Sequence, residues 1–332
     1  MYQVQLNNGK TFEANNLTLL DAASKAGIPF PYSCKTGRCS SCKCRVISGQ
    51  TEALGPEIGL SDAEMMQGWI LSCARTARSD LILDVEDMGH TTLPVTKTLA
   101  CRINQLEKLA PNVLKVILRL PPDAIFDFIA GQYIDLIGPN GVRRSYSLAN
   151  APRADKTLEL HIREVETGVL SQYWFQDANI NDVLRLNGPM GTFSLRNVAQ
   201  RDLVFLATGT GFAPVKAMLE SLTNFSVEEK PKSVTVLWGG RYQHDLYFDV
   251  MTLPGNVTYI PVLSRETTWP GEQGYVQDIF LRKHSNLSNC VVYACGSDAM
   301  IRSAKDLLIA AGLPDRHFYS DAFVCSGTMT SH

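Results

Sequence analysis

Neither sign of charge dominates this chain. It carries 31 Lys and Arg against 33 Asp and Glu, a net charge of −2, so it offers no basic field to nucleic acid. Long apolar runs are missing as well: stretches such as 203–207 fall far short of the roughly 20 residues that a membrane span requires. The first ten residues alternate polar and apolar and lack the apolar core of a signal peptide. With 45% hydrophobic and 19% charged residues, the composition is too apolar for a disordered chain, and 24 glycines are too few for collagen. What these absences leave is a cytoplasmic chain without membrane or nucleic-acid partners. At 332 residues it holds two or three domains of roughly 100–200 residues each.

Cysteine, by contrast, is plentiful and unevenly spread. Nine are present, an odd number in a chain without an export signal, which argues against a disulfide scaffold. Cys34, Cys39, Cys42 and Cys44 crowd one loop and Cys73 follows; Cys101, Cys290, Cys295 and Cys325 are scattered. Cys34-Lys-Thr-Gly-Arg-Cys39-Ser-Ser-Cys42 has the C-x4-C-x2-C spacing of plant-type [2Fe–2S] ferredoxins, with Cys73 as the fourth thiolate. Two irons need four soft, deprotonated sulfurs, and a loop this tight needs small residues, here Gly37, Ser40 and Ser41. Zinc prefers paired C-x2-C elements, and only one is present nearby. Two features stand out. Ser40 occupies a position that is usually Gly in this motif, and Cys44 is an extra thiol that is either a competing ligand or a bystander.

The rhythm of the chain changes twice. Residues 1–90 read as a small sheet with short helices: Tyr2, Val4 and Leu6 alternate, Asn7-Asn8-Gly9 turns, Thr18 opens a helix that Gly27 closes, and Ser61 with Glu64 forms a capping box. A polar stretch at 91–99 reads as a linker. Residues 100–198 show closely spaced strands at 113–120, 132–137, 145–148 and 158–165, the pattern of an antiparallel barrel. From 199 to 332 strands at 203–208, 234–238, 257–263 and 290–294 alternate with helices such as 215–222 and 299–311. That is a doubly wound parallel sheet.

Two segments in the later domains carry chemistry. Arg144 and Tyr146 of Arg-Ser-Tyr-Ser147 share one face of a strand. An aromatic can stack on a flat isoalloxazine, and a guanidinium can hold a pyrophosphate bidentately. Downstream, His161-Ile162-Arg163 precedes Gly168-Val169-Leu170-Ser171, a glycine turn into a helix start that suits an anion. The strand at 203–208 then runs into Gly209-Thr210-Gly211-Phe212-Ala213-Pro214, where glycines let backbone approach phosphate and Pro214 fits the first helical turn.

These residues, in this order, resemble the ferredoxin–NADP⁺ reductase superfamily fused behind a ferredoxin, over nearly the whole chain. The resemblance implies a multidomain α+β and α/β architecture: a β-grasp ferredoxin domain, an antiparallel β-barrel FAD domain and a parallel-sheet NAD domain. It implies that Tyr146 flanks the flavin, Arg144 binds its pyrophosphate, Ser147 lies near flavin N5, and the 168–171 segment completes the pyrophosphate site. Cys295-Gly296 matches the family's nicotinamide-binding pair. Phe323 is either the terminal aromatic that shields the flavin or an ordinary strand residue. Ser264-Arg265, with Tyr275 and Gln277, is similar to the pattern that binds the NADPH 2′-phosphate, but Gln273 and Gly274 replace the basic residue before Tyr275. This favours NADH without excluding NADPH.

The parts imply one electron path. A nicotinamide delivers two electrons as hydride, a [2Fe–2S] cluster takes one at a time, and a flavin converts between them. Two groups share this domain order: reductases of bacterial aromatic or alkane oxygenases, and reductases of 3,6-dideoxyhexose biosynthesis. Tyr32-Ser33-Cys34-Lys35, the run 143–152, Thr210–Lys216 and Tyr293–Ser297 resemble the second group, as does Ser320–Val324. That likeness implies a pyridoxamine-phosphate dehydrase as electron acceptor; an oxygenase component is the alternative. A redox sensor binding FAD and a cluster is a third reading, marked by NAD(P)H reducing the cluster too slowly to be useful.

Overall fold

The computed structural model describes residues 1–86, 88, 91–138 and 141–323. Val324, Cys325, His90 and the chain end therefore lie outside the described residues. By internal contacts the chain forms two compact units: one of Met1–Leu93 with Gly191–Phe193 and the residues from Asp321 onward, the other of Pro94–Met190 with Ser194–Ser320.

The first unit is built on a five-stranded sheet with a two-stranded ribbon. Its elements are β1 (Tyr2–Leu6), β2 (Thr11–Ala14), α1 (Leu19–Lys25), β3 (Lys43–Ser48), β4 (Thr51–Ala53), α2 (Asp62–Met66), β5 (Trp69–Leu71), β6 (Arg75–Ala77) and β7 (Leu81–Asp84). The sheet order is β2-β1-β7-β3-β5, and β4 pairs with β6. Only β1 and β7 run parallel; the other pairs are antiparallel. Alternation works as the sequence suggests, because Val4 and Leu6 are buried while Gln3 and Gln5 face solvent. The Thr18 hydroxyl accepts the Asp21 N–H at 3.1 Å and starts α1, which lays Leu19, Leu20, Ala22 and Ala23 on the sheet. Ser61 and Glu64 cap α2 reciprocally.

The second unit contains two larger sheets. The first uses β8 (Lys97–Ala110), β9 (Val113–Arg119), β10 (Tyr133–Ile137), β11 (Arg143–Ser147), β12 (Leu158–Arg163) and, after the short helix α3 (Val169–Gln172), β13 (Val183–Met190). The order is β11-β10-β13-β8-β9-β12, and an antiparallel bridge between Leu148 and Leu160 joins the two edges into a barrel. Its core holds Ile103, Val116, Leu118, Ile134, Leu136, Leu160 and Leu186. β8 begins at Lys97, inside the stretch read as a linker, and pairs there with β13.

The second of these sheets, with its helices, comprises β14 (Asp202–Thr208), α4 (Phe212–Ser221), β15 (Ser233–Gly240), β16 (Thr258–Leu263), β17 (Glu272–Gln273), α5 (Val276–Lys283), β18 (Cys290–Ser297), α6 (Asp298–Ala310) and β19 (Phe318–Phe323), whose residues from Asp321 count by contacts with the first unit. In the order β17-β16-β15-β14-β18-β19, successive strands proceed outward from β14 on one side and then return to its other side as β18. The pairs of β14 with β15 and β18 are parallel. The reversal lies between β14 and β18, and a crevice at their carboxyl ends is where such sheets take ligands.

Candidate functional site

The cysteine loop folds around backbone donors. The Cys34 N–H points to Cys39 Sγ at 3.4 Å and the Thr36 N–H to Cys34 Sγ at 3.3 Å. Lys35 and Ser40 both have left-handed backbones, with φ of 54° and 59°, as does Gly37 at 72°. A Cβ on Gly37 would sit 1.8 Å from the Pro56 carbonyl oxygen, so no other residue fits there. Ser40 takes the strained conformation in place of the usual glycine, and its hydroxyl donates to the Gly59 carbonyl at 2.5 Å. Beside the loop, Ser33 is hydrogen-bonded to Asp321, whose carboxyl is pushed up to about 6 by burial.

The four thiols fall into two pairs. Hydrogen bonding from Cys39 pulls Cys34 down to about 4, and the same bond together with burial drives Cys39 up. Cys42 and Cys73 behave likewise, Cys73 lowered and Cys42 raised by their mutual bond. Two pairs suit a two-iron cluster. Cys44 is different: it lies wholly buried in the apolar core on β3, and burial raises its thiol to about 12.

On β11, Arg143 pairs with Asp135 at 3.6 Å and Ser145 donates to the same carboxylate, while Arg144 and Tyr146 occupy the other face. The Tyr146 hydroxyl accepts the Trp174 indole N–H at 3.1 Å, the rings meet edge to face, and burial raises the phenol to about 12. Its ring orientation is thus fixed before any ligand arrives. Ser147 is buried at the end of the strand. Gly168 precedes α3, Val169 is exposed, and Leu170 inserts into the barrel core. The Ser171 hydroxyl accepts the Val165 N–H at 2.7 Å, which ties the segment into a compact turn.

His161 and Ile162, read as cofactor contacts, have side chains committed elsewhere. Ile162 is in the barrel core, and both ring nitrogens of the buried His161 are used, one on Glu159 and one on Tyr247, each at 3.0 Å. Any part they have in holding a cofactor is left to their backbone. Arg163 keeps a partly exposed guanidinium, 3.7 Å from Asp245.

At the nucleotide turn, Gly209–Gly211 form one 3-10 turn that leads into α4. The side chains of Phe212, Ala213 and Pro214 are buried, and the Phe212 ring stacks on Trp238 with centroids 4.2 Å apart. What this segment offers a ligand is therefore backbone, with Thr210 beside it. A Cβ on Gly211 would come within 2.3 Å of the Cys295 carbonyl, so the turn is pressed against the end of β18. Cys295 itself is fully buried, while Gly296 packs so closely on Thr208 that an added Cβ would lie 2.1 Å from its Oγ1. Ser264 and Arg265 are exposed just past β16, and their N–H groups donate to the carbonyls of Gly240 and Arg241. Gln277 turns inward and donates to Ser303, and Tyr275 is exposed. Phe323 closes β19, partly exposed, and belongs by contacts to the first unit.

Lys216, at the end of the Thr210–Lys216 segment, has no role that a sequence motif assigns. This lysine on α4 is buried between Glu159 at 3.1 Å and Glu220 at 2.6 Å, with its third bond to the Ala149 carbonyl at 3.0 Å. Its signal was a lone charge amid the apolar Phe-Ala-Pro-Val-Lys-Ala-Met-Leu run.

Comparison with known proteins assigns each region a family. The 2Fe-2S iron-sulfur cluster binding domain matches residues 5–78, the oxidoreductase FAD-binding domain 100–195 and the oxidoreductase NAD-binding domain 205–306. The chain is 41% identical over 314 residues to the CDP-6-deoxy-L-threo-D-glycero-4-hexulose-3-dehydrase reductase of Yersinia pestis, covering 93% of this chain and 94% of that one. It is 30% identical to the xylene/toluene monooxygenase electron transfer component XylA of Pseudomonas putida, covering 92% of this chain and 88% of the other. Among solved structures, the Amycolatopsis cytochrome P450 reductase GcoB superposes with a TM-score of 0.75 at 28% identity, over 97% of this chain and 99% of that one. The chain belongs to the NAD(P)H-dependent iron–sulfur flavoprotein reductases, in which a [2Fe–2S] ferredoxin domain is fused to FAD- and NAD-binding domains.

Proposed function

We propose that this reductase delivers electrons from NADH to a pyridoxamine-phosphate dehydrase of 3,6-dideoxyhexose biosynthesis, for removal of the C3 oxygen from a CDP-bound sugar intermediate. The observation that carries the reading is full-length identity of 41% to a dehydrase reductase, against 30% to oxygenase electron-transfer components. When bound, the flavin supplies the exchange between a two-electron hydride donor and a one-electron cluster.

The residues divide that work. Cys34, Cys39, Cys42 and Cys73 would hold the two irons, as their pairing supports. Tyr146 would flank the isoalloxazine in the orientation that Trp174 fixes, Ser147 would lie toward N5, and Arg144 with the 168–171 turn would hold the pyrophosphate. The Gly209–Gly211 turn and Gly296 would admit the dinucleotide phosphates and nicotinamide at the sheet's reversal point. The buried Cys295 shapes that crevice through its backbone. Arg265, lacking a basic companion before Tyr275, suits NADH. The three sheets and the three matched stretches support a division at 1–90, 100–198 and 199–332 around a short joint. Among the described residues no helix is long and apolar enough to cross a membrane. A cytoplasmic setting, rich in NADH and thiol-reducing, fits this chemistry.

The test is anaerobic NADH oxidation by the purified protein with a pyridoxamine-phosphate dehydrase, with and without CDP-4-keto-6-deoxyglucose. Oxidation that requires both dehydrase and sugar nucleotide is expected. If NADH still reduces cytochrome c through the cluster while the sugar nucleotide changes nothing, the dehydrase reading fails and an oxygenase partner takes its place.

A further inference from the structure

β12 has two faces of opposite character. Leu158, Leu160 and Ile162 point into the barrel core, so Glu159, His161 and Arg163 share the other side. Each of these three meets the nucleotide-binding sheet or its connections. Glu159 takes Lys216 of α4, His161 takes Tyr247, and Arg163 lies against Gly209, where an added Cβ would come 2.9 Å from its Nη1.

Lys216 is the centre of this contact. Its ammonium has three protons and three close acceptors: Glu159, Glu220 and the Ala149 carbonyl. Glu220 also accepts the Ala151 N–H at 3.0 Å, and Arg153 bridges Glu220 at 3.1 Å and Glu159 at 3.3 Å. Two carboxylates and two cations thus balance in a place where an unpaired charge would be costly. A second strand of the network leads on from Glu159. Its carboxylate accepts from His161 Nε2, and the other ring nitrogen of this neutral, buried imidazole accepts from the Tyr247 hydroxyl. Tyr247 packs edge-on against Trp238, whose indole N–H donates to the Gly209 carbonyl at 3.0 Å.

The ends of this network are informative. Ala149 and Ala151 directly follow the flavin strand β11 and Leu148, and Gly209 and Gly211 form the nucleotide turn. Removing one partner of a buried ion pair leaves the other charge unpaired, so the groups that Lys216 joins are held to one another. We propose that Lys216 is a positioning residue for hydride transfer: held by Glu159 and Glu220, it fixes the spacing between the nucleotide turn and the flavin strand. Nicotinamide C4 and flavin N5 must approach to about 3–3.5 Å for the step, and a displacement of about 1 Å can cost 100-fold.

The experiment uses the full-length holoprotein with Lys216→Met, Lys216→Arg and Glu220→Gln. Stopped-flow reduction of the flavin by NADH and by 4-deuterated NADH separates the limiting rate from the dissociation constant, and amide hydrogen exchange reports on the clasp directly. In Lys216→Met the limiting rate is expected to fall about 30–100-fold with the NADH dissociation constant changed by less than about threefold. The isotope effect should persist, and exchange should rise in peptides covering 149–151 and 209–216. Lys216→Arg should recover about tenfold of the loss. A wild-type limiting rate with unchanged exchange overturns the proposal, as does a rate loss that only tracks lost FAD. Should Lys216→Met not fold, Glu220→Gln, at a partly exposed position, takes over: a limiting rate equal to wild type there overturns it equally.

Discussion

Gly37 shows how little freedom the cluster loop has. Its φ of 72° is in the left-handed region, and its missing side chain leaves room for the Pro56 carbonyl that a Cβ would strike at 1.8 Å. Gly37→Ala should therefore abolish cluster assembly, seen as loss of iron and of visible absorbance beyond that of bound FAD. Ser40→Gly should keep full iron content, because glycine relieves the strain at φ 59° and loses only the hydroxyl bond to Gly59. Iron lost from the Ser40 variant, or retained in the Gly37 variant, would contradict this account of the loop. The 2Fe-2S domain was legible in the sequence because the chemistry demands thiols at fixed intervals, and the family match over 5–78 bears it out. The status of Cys44 was not, since spacing alone cannot separate a ligand from a core residue. On β3 it occupies a position that alternation turns inward, among the buried residues of the core.

Elements were legible where their hydrophobic period was regular. The parallel strands of the nucleotide sheet are continuous apolar runs, buried on both faces, and read plainly from composition. β8 escaped because register shifts at Ile103/Gln105 and Lys108/Ala110 break its alternation along 14 residues. β13 escaped because Asn187-Gly188-Pro189 signal a turn, yet Asn187 and Gly188 pair with β8 and Asn187 also with β10, the register shifting past Pro189. On the proposed reading, the junction of β14, α4 and β18 is where the nucleotide is held. Gly211→Ala should force the turn away from the Cys295 carbonyl, now 2.3 Å from where the Cβ would stand. The expected result is a rise of about tenfold or more in the NADH dissociation constant, roughly 1.4 kcal/mol or greater, with the cluster spectrum intact. Unchanged affinity in a titration of flavin charge-transfer absorbance would show that the phosphates are held elsewhere.

For the molecule as a whole, the question is whether the modules act in series. The stretches matched by the FAD- and NAD-binding families, 100–195 and 205–306, lie almost wholly in the second unit, and hydride delivery on the proposed reading belongs there. One-electron exit requires the thiols of the first unit, and a serine oxygen is a harder, far less ionised ligand than the thiolate it replaces. Cys39→Ser should therefore lose the cluster and cytochrome c reduction while NADH-dependent ferricyanide reduction, taken from the flavin, stays within about twofold of wild type. Loss of both activities would mean that the flavin site depends on the cluster for its integrity, and the serial reading would fail. Retention of both would mean that electrons leave by the flavin directly. In that case the ferredoxin domain would serve some purpose other than conduction, and the redox-sensor reading would regain its footing.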